Sequence, residues 1–315
     1  MNNSLTEEQV KVLNMSQSVI NEVRKVIIGK DEIIIKVLLS ILAGGHILIE
    51  DIPGVGKTTL AVALSKALSL DYKRLQFTPD VLPTDVTGFT ILNKETHKFE
   101  YKQGAALTNL FLADEINRTS SKTQSALLEV MEEGKVTVDG ITHKMPDPYI
   151  VIATQNPVGS IGTQMLPESQ MDRFIVRLTM GYPNLESEVA MLKSKQNLVP
   201  VDNVRPVVSA EDILQARKVV ENIYASDQVF QYIVMLANAT RNNEYIKLGL
   251  SPRGTIALLR MTKATALLKG RDYVIPDDVV LHRLVFNSKA KINGFTGEQI
   301  LKGVISSVQV PRVSK

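Results

Sequence analysis

The sequence has no cysteine, no tryptophan and only 5% aromatic residues. Without cysteine it can form neither a disulfide bond nor a thiolate metal site, and its 4 histidines show no metal-ligand spacing. The 36 lysines and arginines nearly balance the 33 acidic residues, which leaves a net charge of +3. That charge is too small to indicate a nucleic-acid or membrane-surface partner. Because the sequence shows no cysteine or histidine metal site, any bound metal is expected to arrive together with another ligand.

Long uninterrupted apolar runs are also missing from the chain. The most membrane-like run, residues 33–49, contains Lys36, a Gly44-Gly45 pair and His46. It predicts a buried helix followed by a buried strand rather than a membrane span. The first residues of the chain are polar and acidic, unlike a secretory signal peptide. We therefore expect a cytoplasmic protein with no membrane insertion.

Strand-length apolar runs alternate with helical periodicity up to Gly181, after which the pattern becomes helical. This alternation predicts an α/β fold, a mostly parallel sheet with helices on both faces, followed by a small all-α lid domain. The length suits two domains, which we place at residues 1–197 and 198–315. The predicted helices of the second part are 210–222, 227–242, 252–269 and 276–290, with a short one at 298–301.

A glycine-rich turn joins the first predicted strand to a helix. The turn is Asp51-Ile52-Pro53-Gly54-Val55-Gly56, and Lys57-Thr58-Thr59 follows it. Gly54 and Gly56 let backbone N–H groups surround an anion, and the helix adds its positive N-terminal end. In this P-loop pattern Lys57 reaches the β- and γ-phosphates of ATP, and the Thr58 hydroxyl holds Mg²⁺. The match is relaxed, because Asp51 stands where the pattern has glycine.

A second apolar run, residues 110–113, leads directly into Asp114 and Glu115. Ligands of open α/β sheets bind at the carboxyl ends of the strands, where this acidic pair is expected. Asp114 would order the Mg²⁺ shell, and Glu115 would orient the attacking water. An acidic pair after an apolar strand is common on its own. Its position downstream of a P-loop in the same predicted sheet favours the catalytic interpretation.

Three further polar residues each have two interpretations. Asn156 either hydrogen-bonds the attacking water or γ-phosphate, or forms a turn before a proline. Arg173 is either an arginine finger or a structural ion-pair residue, and the local sequence favours the structural role. Arg253 follows Ser251-Pro252 at a predicted helix start, where a cation opposes the helix dipole. It either faces an anion or lies on the surface beside a carboxylate.

Together these motifs resemble the MoxR family of AAA+ ATPases, in the clade with an extra hairpin after the second helix. The resemblance runs from about residue 26 to 289. Residues 50–58 resemble its Walker A motif, in which the aspartate is tolerated, and residues 112–118 resemble its Walker B segment. The other similar segments are the signature at 75–88, sensor 1 at 153–157, the arginine-finger segment at 166–174 and sensor 2 at 251–253. Residues 280–284 follow the family's final basic helix only loosely.

The resemblance implies an ATP and Mg²⁺ site at a subunit boundary of a homo-oligomeric ring, usually a hexamer. Arg173 of a neighbouring subunit would reach the γ-phosphate, and Arg253 would report nucleotide state to the lid or serve the adjacent site. The residues acting in cis would be Lys57, Thr58, Asp114, Glu115 and Asn156. Further nucleotide contacts would come from Pro53, Val55 and Thr59 in the loop, and from Ile28 and Gly29 at the adenine pocket.

Members of the resembled family act as chaperone-like motors that remodel, activate or mature a protein client, often with a von Willebrand factor A-domain partner. A nucleotide-gated scaffold with slow hydrolysis and a magnesium-chelatase-like motor remain open alternatives. A nucleic-acid motor is disfavoured, because the near-neutral charge and the lack of tryptophan offer no basic aromatic track. Two predicted hairpins, residues 89–102 and 135–144, are either moving elements at the ring surface or pore, or ordinary edge hairpins.

Overall fold

The computed structural model describes residues 5–156, 166–194, 201–278, 285–286 and 294–311. These residues form two compact units, described separately below. One unit contains residues 17–38 and 46–214, and the other contains residues up to 16, 39–45 and 215 onward. The domain boundary between 197 and 198 stays a prediction. No helix within the described ranges is both long and apolar enough to cross a membrane.

The helices are α1 (Glu7–Arg24), α2 (Asp31–Leu42), α3 (Lys57–Ala67), α4 (Pro83–Thr87), α5 (Ser121–Glu133), α6 (Glu168–Met171), α7 (Leu185–Ser194), α8 (Ala210–Glu221), α9 (Asp227–Arg241), α10 (Pro252–Leu268) and α11 (Gly297–Ser307). The strands are β1 (His46–Glu50), β2 (Tyr72–Gln76), β3 (Gly88–Asn93), β4 (Lys98–Gln103), β5 (Leu110–Asp114), β6 (Lys135–Val138), β7 (Ile141–Lys144), β8 (Ile150–Gln155), β9 (Phe174–Leu178), β10 (Ile246–Leu248) and β11 (Val285–Phe286).

The main sheet has five strands in the order β2-β5-β8-β1-β9, and every neighbouring pair is parallel. Strands β5 and β8 are buried along their whole length, while every residue of β2, at one side of the sheet, is exposed or half-buried. Continuous apolar runs are expected where a parallel strand is covered on both faces. The α/β prediction is therefore confirmed, and all five carboxyl ends lie along one edge of the sheet.

Local capping signals are partly confirmed. The sequence Thr6-Glu7-Glu8-Gln9 predicts a capping box at the start of α1. The structure has it, because the backbone N–H of Thr6 donates to the Gln9 side chain and that of Gln9 donates to the Thr6 hydroxyl. The sequence Ser121-Lys122-Thr123-Gln124 predicts a cap of α5 at Ser121, which is wrong by one residue. Ser120 is extended and its hydroxyl accepts from the Thr123 N–H, so Ser121 is already helical.

Both predicted hairpins are present as antiparallel pairs. Strands β3 and β4 pair from Gly88 with Gln103 to Asn93 with Lys98. Strands β6 and β7 are joined by Asp139 and Gly140, which both have positive φ, as a tight hairpin turn requires. The Tyr101 ring of the first hairpin stacks on the His143 ring of the second, with centroids 3.8 Å apart.

The second unit is helical, with α9 packed against both α10 and α11. It also contains an antiparallel pair, β10 with β11, which the all-α prediction missed. The helix predicted over 276–290 is wrong where it is described: Pro276–Asp278 is a 3-10 turn and Val285–Phe286 is a strand. The remaining residues of that prediction, including 280–284, lie outside the described residues. The short helix predicted at 298–301 is longer, because α11 covers Gly297–Ser307.

Candidate nucleotide-binding site

The loop after β1 has the backbone shape of an anion cradle. Gly54 and Gly56 have φ of +87° and +96°, a region that side-chain-bearing residues rarely adopt. Helix α3 begins directly afterwards, and its N-cap, Gly56, provides no side-chain hydrogen bond. The first N–H groups of α3 thus have no side-chain cap, and the positive end of the helix is directed at the loop. This arrangement suits a phosphate group.

Lys57 lies at the base of this loop and is buried. Its ammonium group donates a 2.8 Å hydrogen bond to the backbone carbonyl of Asp51. Burial lowers the pKa of Lys57, while the carboxylates of Asp114, Asp51 and Glu115 oppose that shift. The lysine is therefore held among acidic groups at the position where a phosphate would need it.

Asp51, the departure from the usual P-loop pattern, has a structural role that glycine could not perform. Its carboxylate is buried and accepts hydrogen bonds from the N–H of Ile52 at 2.8 Å and from the N–H of Gly181 at 2.5 Å. Gly181 follows β9, so the aspartate ties the start of the loop to the neighbouring strand's exit. The relaxed motif is thus explained by a contact distant in sequence.

The acidic pair at the end of β5 is held by Thr154 of β8. The Thr154 hydroxyl donates to Asp114 Oδ1 at 2.7 Å and accepts from the backbone N–H of Glu115 at 2.8 Å. Glu115 has φ of +56°, a left-handed conformation that non-glycine residues adopt at an energetic cost. One buried hydroxyl therefore sets the position of Asp114 and the backbone turn at Glu115.

Each acidic side chain also contacts an arginine that sequence reasoning missed. Arg74 of β2 donates to Asp114 Oδ2 from its NH2 at 2.7 Å and its Nε at 3.2 Å. Arg118 donates to Glu115 Oε2 at 2.8 Å. The contact of Arg118 could have been predicted from the sequence, because Arg118 follows Glu115 by three residues. Arg74 reaches Asp114 only because β2 pairs with β5, and nothing local indicates that contact.

The P-loop and the acidic pair lie around a cavity of about 370 Å³, which is within the usual range of small-molecule sites. It is lined by Pro53, Gly54, Gly56, Lys57, Thr58, Thr59, Arg74, Gln76, Asp114 and Glu115. The structure thus brings most of the predicted phosphate and metal residues to one place. Mg²⁺ in such sites takes one or two protein oxygen ligands and completes its shell with phosphates and water. The Thr58 hydroxyl and the Asp114 carboxylate fit that requirement.

Asn156 follows β8 and is fixed through its backbone. Its N–H donates to Asn117 Oδ1 at 3.3 Å, and Asn117 Nδ2 donates to the Asn156 carbonyl at 3.1 Å. Asn117 is fully buried. Asn156 does not line the cavity described above, so its predicted role as a sensor stays a prediction. The adjoining Pro157 lies outside the described residues.

The predicted adenine-pocket segment lies beside the exit of β9. Gly29 has φ of +70°, and a Cβ placed there would come within 2.0 Å of the Ser187 hydroxyl of α7. The Lys30 ammonium donates to the carbonyls of Met180, Gly181 and Tyr182 at 2.6–3.0 Å. Ile28 is half-buried next to this junction. The contribution of Ile28 and Gly29 to nucleotide binding stays a prediction.

Arg173 lies at the opposite edge of the sheet from the P-loop. It immediately precedes β9, whose first residue, Phe174, pairs with His46 at the start of β1. The P-loop follows the other end of β1, about 13 Å away along the strand. Arg173 NH2 is 3.1 Å from Glu132 Oε2 of α5. Both side chains line a second cavity of about 490 Å³.

Arg253 occupies the first turn of α10, as predicted. Ser251 is the N-cap and its hydroxyl accepts from the Gly254 N–H at 2.9 Å, while Pro252 takes the first helical position. Arg253 belongs to the helical unit. Its role at a nucleotide site stays a prediction.

Comparisons with known proteins agree with this geometry. Residues 46–176 match the ATPase family associated with various cellular activities (AAA), and residues 238–302 match an AAA lid domain. The chain is 48% identical over 299 residues to YeaC, an uncharacterized protein of Bacillus subtilis, covering 93% of each chain. It is 35% identical over 309 residues to chaperone MoxR1 of Mycobacterium tuberculosis, covering 93% of this chain and 81% of that one.

A solved structure is similar over nearly the whole chain. The crystal structure of a protein from Cytophaga hutchinsonii, provisionally described as an ATPase, superposes with a TM-score of 0.89 at 38% identity. The match covers 97% of this chain and 98% of the other. The sheet and the lid therefore both have a counterpart in one solved protein.

Proposed function

The chain belongs to the MoxR family of AAA+ ATPases, and from this premise we propose that it hydrolyses ATP with Mg²⁺ at the carboxyl edge of its sheet. One observation carries the proposal: a single cavity joins the P-loop, Lys57 and Thr58 to the acidic pair Asp114 and Glu115. Phosphoryl transfer from ATP needs three kinds of group in one place: hydrogen-bond donors to the phosphates, ligands for the metal, and a carboxylate that orients the attacking water.

Each group has a separate task in this proposal. The loop N–H groups and Lys57 bind the phosphates, and Thr58 and Asp114 hold the metal. When bound, Mg²⁺ neutralises charge that develops on the phosphate oxygens. Glu115 orients the attacking water, which requires its carboxylate to give up at least part of its contact with Arg118.

We further propose that the active form is a ring of six subunits. In this ring Arg173 of one subunit reaches the γ-phosphate at the nucleotide site of the next subunit. Arg173 precedes β9 at the edge of the sheet opposite the P-loop of its own chain, so it is poorly placed to act in cis. An arginine supplied in trans stabilises transition-state charge in related phosphoryl-transfer sites. Asn156 would hydrogen-bond the attacking water or the γ-phosphate. Arg253 would report the nucleotide state to the lid or serve the adjacent site.

The cellular task proposed for the ring is chaperone-like remodelling, activation or maturation of a protein client. The support is the relative named chaperone MoxR1, at 35% identity. A client carrying a von Willebrand factor A domain is the partner that we would test first. The cytoplasmic location expected from the sequence also stays a prediction.

The ATPase rate per subunit, measured against protein concentration with size-exclusion profiles in ATP and in ADP, tests this proposal. We expect a Mg²⁺-dependent rate that climbs steeply with concentration alongside an ATP-dependent ring, and no activity in Lys57→Ala, which loses its phosphate-binding ammonium. A flat rate from a monomer would overturn catalysis at a shared interface. Absence of hydrolysis at every concentration would overturn the ATPase itself and favour the gated scaffold.

A further inference from the structure

Arg74 is a cation inside the proposed nucleotide cavity that the roles above leave unused. It extends from β2, whose last residue, Gln76, pairs with Asp114 of β5. Both Arg74 and Gln76 line the cavity together with Lys57 and Thr58. Arg74 is therefore in the same small space as the proposed metal ligands, although it is far from them in the sequence.

The carboxylate of Asp114 already has partners on both oxygens. Oδ1 accepts from the Thr154 hydroxyl, and Oδ2 accepts two hydrogen bonds from the Arg74 guanidinium, the shorter at 2.7 Å. The Asp114 side chain is only 10% exposed, whereas that of Arg74 is 42% exposed. A buried carboxylate needs a nearby cation, because an uncompensated buried charge is strongly destabilising. Arg74 supplies that cation from the more open side.

We propose that Arg74 is a built-in substitute for Mg²⁺ at Asp114, which the metal–nucleotide complex displaces when it binds. This inference rests on the Mg²⁺-dependent nucleotide binding proposed above. Guanidinium and Mg²⁺ would compete for the same carboxylate, so each binding event includes an exchange of one cation for another. Asp114 Oδ2 would then keep a hydrogen-bonded cation before the metal arrives and after it leaves.

The exchange also gives Arg74 a second partner. A displaced guanidinium on β2 would remain next to the cavity, where phosphate oxygens are a suitable acceptor for its planar donors. Arg118, which contacts Glu115, does not line the cavity and is not expected to exchange in this way. In this proposal Arg74 acts on Asp114 before the metal binds and on the phosphate oxygens after it has been displaced.

The test is the Mg²⁺ dependence of nucleotide affinity, measured with a fluorescent ATP analogue in the full-length chain. Removal of the competitor in Arg74→Gln should lower the Mg²⁺ concentration for half-maximal affinity by about three- to tenfold, as expected when a hydrogen-bonded charge no longer has to be displaced. Arg74→Lys keeps a competing cation and should restore most of the wild-type requirement. Arg24→Gln is the matched control, since Arg24 is about as exposed as Arg74 and forms a 2.9 Å ion pair with Asp31 outside the cavity.

Three other outcomes would count against the proposal in different ways. An unchanged Mg²⁺ midpoint in Arg74→Gln would show that Arg74 does not compete with the metal. A higher midpoint would show that it assists metal binding, which also overturns the proposal. If the nucleotide affinity of the wild-type protein does not change with Mg²⁺ concentration, the proposed function and the role of Arg74 are both overturned.

Discussion

The two edges of the parallel sheet are organised in opposite ways. At the carboxyl edge, groups from four strands meet: the P-loop after β1, Arg74 of β2, Asp114 of β5 and Thr154 of β8. At the amino edge, Arg173 forms an ion pair with Glu132 beside a second cavity. The carboxyl edge has the groups to bind a nucleotide. The amino edge has a cation, Arg173, that lies far from the nucleotide cavity of the same chain. This difference is the basis of our proposal that catalysis is divided between two copies of the chain.

Removal of the cation at the amino edge should have the largest effect. In Arg173→Ala we expect the ATPase rate to fall by about 1,000-fold, because an arginine in trans stabilises the transition-state charge. Nucleotide affinity should change much less than the rate, because the arginine mainly stabilises charge that develops in the transition state. Steady-state hydrolysis and nucleotide titrations measure the two effects.

Mixing subunits identifies the chain on which Arg173 acts. Arg173→Ala keeps a complete carboxyl edge, and Lys57→Ala keeps a complete amino edge. A mixture of the two should recover part of the activity, because one kind of neighbouring pair combines both intact edges. No recovery in rings that contain both variants would assign Arg173 to a structural role and would remove the functional contrast between the edges.

The next largest effect is expected at the carboxyl edge. Glu115→Gln keeps the shape of the side chain but loses the carboxylate that orients water, so turnover should fall by about 100-fold or more. ATP binding, measured by titration, should be retained. Glu8→Gln in α1 is a matched control on an exposed surface, and it should leave both quantities unchanged. Normal turnover in Glu115→Gln would show that another group orients the water.

The smallest effect concerns the stability of the carboxyl edge. In Thr154→Val the Asp114 Oδ1 atom and the Glu115 N–H both lose a buried partner, which should cost about 1–3 kcal/mol in free energy of unfolding. Urea denaturation measures this cost. Thr142→Val, which removes an exposed hydroxyl contact in the β6–β7 hairpin, should cost less than about 0.5 kcal/mol. Equal losses in the two variants would mean that Thr154 does not brace the acidic pair.

Features encoded by neighbouring residues could be predicted from the sequence, and contacts between distant residues could not. The P-loop and the hairpin at residues 135–144, with its Asp139-Gly140 turn, depend on local backbone chemistry, and the structure has both the predicted loop and the predicted hairpin. The antiparallel pair β10–β11 was missed, because strands of two or three residues leave almost no periodic pattern. The cap of α5 was misplaced because Ser120 and Ser121 are both suitable capping residues.

The contacts of the acidic site depend on long-range pairing. Arg74 and Thr154 are each 40 positions from Asp114, and Gly181 is 130 positions from Asp51. They meet only because β2, β8 and β9 take particular places in the sheet. No local pattern specifies those partners, since strand order is decided by packing of the whole unit.

The sequence by itself determined the strand–loop–helix of the P-loop and the acidic pair after a buried strand, because backbone freedom and hydrophobic periodicity act between near neighbours. The tertiary structure alone decided which cation pairs with Asp114, why Asp51 replaces a glycine, and that Arg173 lies across the sheet from its own P-loop. Parallel pairing is the physical reason, since it aligns the carboxyl ends of distant strands at one edge and their amino ends at the other.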